Sequence, residues 1–496
     1  MLTSSIQMPL RSSESPAQRI LLSVAFVVSA GCIRFLLLER QSLWNDEMFS
    51  LEVAGLPLAR IQPNLIAYFH HPPLFFYCLH AVVHLFGTTA WTLRFLSACC
   101  GSLTAGLVYF ATSVFLNRRA ALVAGAICLL SPFHLAYSQE GRPYAMAAFL
   151  CLATFCLMFM TIREERRIWN VLYAASLVAL LYTHHWGIFV LASQMLFILT
   201  EPRISRPTKK HVLLIWAIVG VCYLPEAIVI PVQSAGHGTP GWSWVETPNV
   251  MEPAHLIAAF AGSYFRMASS IYSLSLPVIL CSAIALLFLL LRAVVGGWRT
   301  SADLAYRGFL IGAGATLLIP FALSFWKPEI FVWYRYPVIV VPVVCVAAGG
   351  VFRTRGGKIA ALAVAILLMS EVLGTIHYFN WSKSNVRDVA TYVESVTGND
   401  VRLLIRPKIF ARLLNFYYRG TARQLDEAYL DEPVGEIVDT AASFAYVSLD
   451  VPNEIRDYMD HHFDKLSERK FPGEAHLGII VDVYRQPPDT VQTGHR

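Results

Sequence analysis

Charged residues are scarce in this sequence, and their scarcity excludes most kinds of soluble protein. Asp, Glu, Lys and Arg make up 15% of the 496 residues, hydrophobic residues make up 56%, and the mean hydropathy is +0.53. One or two soluble domains could not bury so much apolar surface. The sequence also lacks an internal repeat, a low-complexity tract and a long linker. Together these features predict a polytopic membrane protein.

Paired cysteines and metal-ligand spacings are missing as well. The ten cysteines all fall in apolar segments, and the polar C-terminal part contains none. This distribution predicts small core residues, and neither a disulfide framework nor a zinc site. The net charge of +6 comes from short basic clusters between apolar runs, which report membrane topology rather than a nucleic acid partner.

Apolar runs recur along residues 1–380 and approach or reach the roughly 20 residues needed to cross a bilayer. We predict eleven spans, near residues 20–38, 91–115, 119–137, 143–160, 168–184, 186–200, 211–231, 271–291, 308–326, 337–352 and 358–378. If the N-terminus is cytoplasmic, every strongly basic loop falls on the inner side. The segment 72–87 would break this parity as a full crossing, so we predict an interfacial or re-entrant helix there.

The composition changes after Asn380, which separates a transmembrane domain, 1–380, from a C-terminal domain, 381–496. In the latter the patterns predict helices at 386–396, around 413–418 and at 452–466, with strands at 401–405, 444–449 and 477–484. The expected fold is therefore an all-α polytopic membrane protein with a small α/β domain. An odd number of spans places that domain in the periplasm or its equivalent, outside a cell inner membrane.

Two adjacent acids, Asp46 and Glu47, follow the first span, between Trp44 and Phe49. They could simply be solvated loop acids. Their chemistry is also what a sugar transfer needs, namely a carboxylate that takes the proton of an acceptor hydroxyl as the anomeric carbon is attacked. We favour Asp46 as this base, with Glu47 orienting it or contributing to a divalent cation site.

A second polar motif, YSQEGRPYA, begins the fourth span at its outer end. Glu140 could be an ordinary acid at a helix start, where the helix dipole favours it, and Pro143 suits the first helical turn. In a functional interpretation, Glu140 is a second carboxylate facing the first and Arg142 is a guanidinium that holds phosphate.

Two histidine pairs lie on the same predicted face: His70 with His71, and His184 with His185. They permit a metal site, but no ligand spacing specifies one. We interpret them as hydrogen-bonding residues at the membrane interface.

Arg335 and Tyr336 open the tenth span at its outer end. This arginine either snorkels to the interface or neutralises the phosphate of a lipid-linked donor.

The order of these motifs resembles bacterial members of glycosyltransferase family 39, the superfamily of protein O-mannosyltransferases and of the aminoarabinose transferase that modifies lipid A. The motifs are DE after the first span, HPP at the next apolar segment, SQE-x-RPYA after the third span, YTHHW after the fifth and RYP at a late span. The resemblance covers about residues 20–380 and is strongest from Leu43 to Gln194.

The resemblance implies a GT-C fold, a polyprenyl-phosphate-linked sugar donor and an inverting single displacement. The family's acids fall on Asp46, with Glu47 beside it, and on Glu140, and its late arginine falls on Arg335. One departure concerns the lysine that mannosyltransferases carry shortly after HPP, because here two phenylalanines follow Leu74. Donor phosphate binding would then fall to His71, Arg142 or Arg335 with its neighbour Tyr336, and a mannose donor is not implied.

Two other functions stay open on the sequence alone. A transporter or lipid flippase would be expected to show inverted repeats or ionisable residues at the bilayer midplane. Arg34, Arg94 and Arg266 lie instead near predicted outer ends, where snorkelling avoids most of the insertion penalty. An O-antigen polymerase or ligase usually depends on a large outer loop late in the chain, whereas here the distinctive acids come early. The acceptor, whether lipid, glycan or protein, is not specified.

Overall fold

The computed structural model describes most of the chain between residues 14 and 485. The described ranges are 14–68, 71–164, 166–235, 247–249, 251–263, 276–299, 304–354, 356–381, 385–396, 402–406, 408–420, 423–425, 443–450, 454–471 and 478–485. The chain divides into two compact units. The first comprises Met1–Leu38, Ser50–Phe265 and Tyr272–Phe379, and the second comprises Glu39–Phe49, Arg266–Ile271 and Asn380–Arg496.

The part of the chain up to residue 380 is helical. Its α-helices are α1 (Pro16–Phe35), α2 (Asn45–Ala54), α3 (Leu58–Tyr68), α4 (Leu74–Phe86), α5 (Ala90–Phe115), α6 (Arg118–Leu130), α7 (Pro132–Ser138), α8 (Tyr144–Arg163), α9 (Arg167–Leu181), α10 (Gly187–Thr200), α11 (Arg206–Ala235), α12 (Glu252–Phe260), α13 (Leu276–Arg299), α14 (Leu304–Ser324), α15 (Val341–Gly349) and α16 (Gly357–Asn380). Short 3-10 helices occupy Pro328–Ile330, Tyr336–Val340 and Gly350–Arg353.

The predicted spans correspond to apolar helices of this set. Among the described residues, 8 helices are long and apolar enough to cross a membrane, and the pair α6 and α7, bent by 57°, could make a ninth. The two remaining predicted spans are α9 and α10, which have 15 and 14 residues and are shorter than the roughly 20 of a full perpendicular crossing. The segment 72–87 contains the 13-residue apolar helix α4. The protein is therefore a multi-pass membrane protein.

The helix α5 packs against α1, α6 and α8. It begins at Ala90 because Thr89 and Thr92 form a capping box, which gives hydrogen-bond partners to backbone N–H groups at the helix start. Small side chains let the neighbouring backbones approach closely, since a Cβ atom at Gly106 would overlap Val27 and lie 2.9 Å from the Ser23 carbonyl oxygen. Close packing of this kind fixes the helix ends that carry the polar motifs.

Two arginines of the bundle do not snorkel, contrary to the prediction. Arg34 and Arg94 lie at helix ends as expected, but their exposed fractions are 0% and 1%. Arg94 donates to the Leu38 carbonyl oxygen at 2.7 Å. Arg34 donates to the Cys128 carbonyl oxygen at 3.2 Å and contacts Nδ1 of His134 at 2.9 Å. The two carbonyl groups lie near helix ends, where such groups lack intrahelical partners. They can therefore accept hydrogen bonds from arginine side chains that are buried inside the bundle. Arg266 lies outside the described residues.

The second unit contains a five-stranded sheet with helices. The strands are β1 (Arg402–Ile405), β2 (Arg423–Leu425), β3 (Ser443–Leu449), β4 (Asp464–Phe471) and β5 (Ile479–Arg485), and the helices are α17 (Val386–Val396), α18 (Lys408–Tyr417) and α19 (Glu454–His462). The strand order is β2-β1-β3-β5-β4. β1 runs parallel to β2 and β3, whereas β5 runs antiparallel to β3 and β4. An α/β domain is therefore present, as predicted.

One predicted helix in this domain is wrong at its C-terminal end. The helix expected at 452–466 ends at His462, and Asp464–Phe471 forms β4. The strand is largely exposed and rich in charge, so it lacks the apolar alternation that marks a strand, and its pairing with β5 stabilises it. The three-residue strand β2 was not predicted either, because so short a segment carries no periodic signal.

Candidate active site

The motif containing Glu140 and Arg142 forms a tight bend between α7 and α8. The Arg142 backbone N–H donates to the Glu140 carbonyl oxygen at 2.8 Å. Only glycine fits at Gly141, because a Cβ atom there would overlap Leu93 of α5. The Ser97 hydroxyl, also from α5, donates to the Arg142 carbonyl oxygen at 3.0 Å. The bend is thus held rigidly, and both predicted side chains are buried.

A hydroxyl and an imidazole help to orient the Arg142 guanidinium. One Nη atom donates to the Ser50 hydroxyl at 3.1 Å, and the other donates to Nε2 of His71 at 2.7 Å. An imidazole nitrogen can accept only when it carries no proton, so this contact requires neutral His71 with its proton on Nδ1. Desolvation, and next the charge of Arg142, hold the pKa of His71 well below its usual value. The contact therefore persists at neutral pH.

His184 lies in the same group of residues, a position that the sequence interpretation did not predict. Its ring centroid lies 6.0 Å from that of His71 and 5.4 Å from those of Tyr144 and Tyr336. Its Nδ1 accepts from the Trp186 backbone N–H at 3.1 Å, which fixes the tautomer. Burial lowers the pKa of His184 well below its usual value. The YTHHW motif was the available signal in the sequence, and the structure adds the position of His184 beside His71 and two tyrosines.

Arg335 directly precedes the 3-10 helix Tyr336–Val340. The approach to this turn is anchored, since the Tyr137 hydroxyl donates to the Tyr334 carbonyl oxygen at 2.5 Å. Arg335 is buried and lies close enough for its charge to lower the pKa of both imidazoles described above. The first unit therefore brings together two guanidinium groups, two neutral histidines and two tyrosines, and we call this set the cationic cluster: Arg142, Arg335, His71, His184, Tyr144 and Tyr336.

An apolar groove of about 860 Å³ begins beside the cationic cluster. Most of its lining comes from α9 and α11, with the start of α4. The Leu74 backbone N–H donates to the Tyr182 carbonyl oxygen at 2.9 Å, and both residues line the groove. Pro73, a further lining residue, comes two positions after His71, and Tyr182 comes two positions before His184. The groove and the cluster are thus joined through two short backbone segments.

Asp46 and Glu47 occupy the first turn of α2, in the second unit. The Trp44 carbonyl oxygen accepts from the backbone N–H groups of Glu47 and Met48, both at 3.0 Å, which starts the helix. Acids are favourable at this end of a helix because of its dipole. Glu47 is buried and Asp46 is half-buried. That Asp46 borders one cavity with Glu140 and Arg335 stays a prediction.

No metal centre accompanies these residues in the described ranges. There, no group of three or more His, Cys, Asp or Glu side chains is arranged to hold a metal ion. Nδ1 of His185 lies 3.4 Å from the Tyr223 hydroxyl, which is a hydrogen-bonding arrangement. His70, the other residue considered as a ligand, lies outside the described residues.

Comparisons with known proteins give one family match and several similar folds. Residues 70–228 match the family described as dolichyl-phosphate-mannose-protein mannosyltransferase. This segment contains most of the cationic cluster and both walls of the groove. A search of curated proteins by sequence finds no match.

Similarity to solved structures shows which fold the chain has. The crystal structure of ArnT from Cupriavidus metallidurans bound to undecaprenyl phosphate is similar with a TM-score of 0.58 at 15% identity, over 97% of this chain and 99% of that chain. The Archaeoglobus fulgidus oligosaccharyltransferase, solved in complex with Zn and sulfate, is similar with a TM-score of 0.51 at 14% identity, over 86% of this chain and 67% of that chain. The chain has the GT-C glycosyltransferase fold.

For this GT-C protein, the resemblance to glycosyltransferase family 39 is confirmed, and so is the predicted fold class. The family match supports a membrane glycosyltransferase. At 15% and 14% identity, the structural likeness itself establishes only the fold.

Proposed function

We propose that this protein transfers a sugar from a polyprenyl-phosphate-linked donor to an acceptor at the outer face of a cell inner membrane. The observation that carries the proposal is the junction between the cationic cluster and the apolar groove. A polyprenyl phosphate has a charged head and a long apolar tail. Guanidinium groups match the geometry of phosphate oxygens, and an apolar groove between helices matches the tail.

The cationic cluster suits the leaving group of this reaction. When the anomeric carbon is attacked, its bond to the phosphate oxygen breaks and negative charge increases on that phosphate. Preorganised donors stabilise such charge because they need no reorganisation during the reaction. We assign this work to Arg142 and Arg335, with His71 orienting Arg142 and with Tyr336 packing beside His184.

We assign the general base to Asp46, which would take the proton of the acceptor hydroxyl as that oxygen attacks. A single displacement of this kind inverts the configuration at the anomeric carbon. Asp46 stands in the first turn of α2, where the helix dipole favours its charged form. We assign Glu140, two residues from Arg142, to holding the acceptor, and Glu47 to supporting Asp46. The acceptor can be a lipid, a glycan or a protein.

The groove gives the sharpest test of donor binding. Ala175→Trp, on α9, should fill the groove and weaken binding of undecaprenyl phosphate by more than tenfold, measured by titration of the purified protein in nanodiscs. The matched control is Leu172→Trp, on the same helix at a residue that is exposed and does not line the groove. If both variants bind like the wild type, the groove does not hold the tail. Equal losses in both would also contradict the proposal, because the effect would not be specific to the groove.

A further inference from the structure

The segment Glu39–Phe49 is part of the second unit, and several hydrogen bonds hold it there. The Gln41 side-chain amide donates to the Trp381 carbonyl oxygen at 2.6 Å. The Leu43 backbone N–H donates to the Tyr417 hydroxyl at 2.8 Å. Both partners follow these residues by more than 300 positions in the sequence. The segment that leads into α2 is therefore fixed by the C-terminal part of the chain.

Arg387 makes two further bonds to the same segment. Its backbone N–H, in the first turn of α17, donates to the Ser42 hydroxyl at 3.2 Å, and its guanidinium donates to the Glu39 carbonyl oxygen at 2.8 Å. The first N–H groups of a helix have no intrahelical partner, so Ser42 satisfies one that would otherwise be left open. The guanidinium also lies over the Tyr417 ring, 5.2 Å from its centroid. Arg387 and Tyr417 thus support each other as well as the segment.

The bonds lie next to the start of the helix that carries Asp46. Leu43 is bonded to Tyr417, Trp44 supplies the first carbonyl acceptor of α2, and Asp46 follows two residues later. Three residues span at most about 11 Å, and the last of them are already helical. A shift of the Leu43 backbone therefore passes directly to the Asp46 carboxylate.

We propose that Arg387 and Tyr417 are positioning residues, which hold the Ser42–Trp44 backbone so that Asp46 is aligned for the transfer reaction. The proposal rests on the proposed function, since it assigns these residues to the alignment of the base. It gives the C-terminal domain a direct part in turnover, through two side chains that are bonded to the segment leading into α2. Misplacing a reacting group by about 1 Å can cost about 100-fold in rate, so the loss of one anchoring bond should be measurable.

Tyr417→Phe is the main test, because it removes only the hydroxyl that accepts from Leu43. We expect kcat to fall by about 10-fold to 100-fold with the donor KM unchanged, and hydrogen exchange in peptides covering residues 39–49 to accelerate. The matched control is Tyr392→Phe, which removes a hydroxyl bonded to Ser467 at 3.2 Å, elsewhere in the same unit. The control should change neither kcat nor exchange at 39–49. Equal losses in both variants would overturn the proposal, because the effect would then be general damage to the domain.

Arg387 provides a second, independent variant. Arg387→Ala should reproduce the loss in kcat and the faster exchange, and Arg387→Lys should restore part of both, because an ammonium group can still donate to the Glu39 carbonyl oxygen. Arg469→Ala is the control, since Arg469 lies over the Tyr392 ring at 4.8 Å. A normal kcat in Arg387→Ala and Tyr417→Phe despite faster exchange would refute the positioning role. Unchanged exchange in both would refute the anchoring itself.

The double variant separates this proposal from the assignment of the base. If Tyr417 acts through Asp46, then Tyr417→Phe should cause no further loss in kcat when Asp46 is already Asn. A further full loss in that background would overturn the positioning role while leaving the function intact. If Asp46→Asn alone retains normal turnover, the assignment of the base fails, and the exchange of residues 39–49 still reports whether the anchor exists.

Discussion

The surroundings of two buried arginines in the helical bundle differ from those of a buried acid in the C-terminal sheet. In the bundle, fully buried Arg34 bonds to backbone carbonyl oxygens and to His134, and Arg142 donates to the Ser50 hydroxyl and to His71. Acceptors of this kind are neutral. Hydrogen bonds to them help to orient the guanidinium group.

In the sheet, Asp482 forms charge pairs, as Glu201 does in the bundle. Asp482 on β5 is fully buried and lies 3.0 Å from the Arg456 guanidinium and 3.6 Å from the Lys465 ammonium. The neighbouring Asp460 carboxylate accepts from the Tyr484 hydroxyl at 2.6 Å. The difference teaches that opposite charges surround Asp482 in the sheet, whereas hydroxyl and imidazole acceptors help to orient Arg142, the guanidinium group that we assign to an anionic phosphate.

The largest effect should come from Asp46, the acid that we assign as the base. Asp46→Asn should lower kcat by about 100-fold to 10,000-fold, because the amide is nearly isosteric but cannot take the acceptor's proton. Binding of undecaprenyl phosphate should stay within twofold of the wild type. Turnover with a defined lipid-phosphate sugar measures the first quantity and titration measures the second. The control is Asp457→Asn, an exposed acid in the first turn of α19. Near-normal kcat would remove Asp46 as the base, and Glu47 would be tested next.

The next effect should come from the cations of the bundle, and it should appear in binding. Arg142→Gln should weaken undecaprenyl phosphate binding by about 10-fold to 100-fold, since hydrogen bonds to charged groups contribute about 1.5 to 3 kcal/mol. Arg335→Gln should act in the same direction. Arg292→Gln is the control, because that arginine lies over the Phe288 ring in α13. Unchanged affinity in both cluster variants would end the assignment of the phosphate site.

A smaller effect, on stability alone, should follow from a change to the sheet. Asp482→Asn removes the shared partner of Arg456 and Lys465 and should lower the stability of the C-terminal sheet by about 1 to 3 kcal/mol. Hydrogen exchange of β3 and β5 in the full-length protein measures this. Undecaprenyl phosphate affinity should not change. A parallel loss of affinity would mean that charge in the sheet also serves the donor, and the contrast between Asp482 and Arg142 would fail.

The smallest effect concerns the pH dependence of stability that His71, an acceptor of Arg142, should cause. The folded-state pKa of His71 lies below its unfolded value of about 6.5, so the unfolded state binds more protons in acid. Stability is therefore complete above pH 6.5 and declines as the pH falls below that value, by at most about 1.4 kcal/mol per pH unit. His71→Gln keeps an acceptor for Arg142 but does not titrate, so its unfolding temperature should decline less between pH 7 and pH 5. His184, whose pKa is lowered too, should retain part of the dependence. Identical pH profiles would show that His71 does not contribute.

Much of the fold was predictable because apolar run length and charge bias act locally. Helices such as α5 and α16 match their predicted spans within a few residues. The strand β4 was missed because its sequence is polar and only pairing with β5 makes it a strand. The inward burial of Arg34 depends on carbonyl groups almost a hundred residues away, and no local pattern carries that information.

The candidate site was predictable in its residue types and less so in its grouping. Motif order identified His71, Arg142, Arg335 and Tyr336, and the structure joins them with His184. The anchoring of segment 39–49 by Tyr417 has no sequence signature, because a tyrosine near a helix end is ordinary. Contacts between distant parts of a chain are determined by packing rather than by local composition.

The most direct test of the account is a structure of this protein with undecaprenyl phosphate bound in a lipid nanodisc. We predict that the phosphate lies within hydrogen-bonding distance of both Arg142 and Arg335, and that the first isoprene units enter the groove lined by α9 and α11. A phosphate bound away from both guanidinium groups, or a tail that leaves the groove empty, would contradict the account.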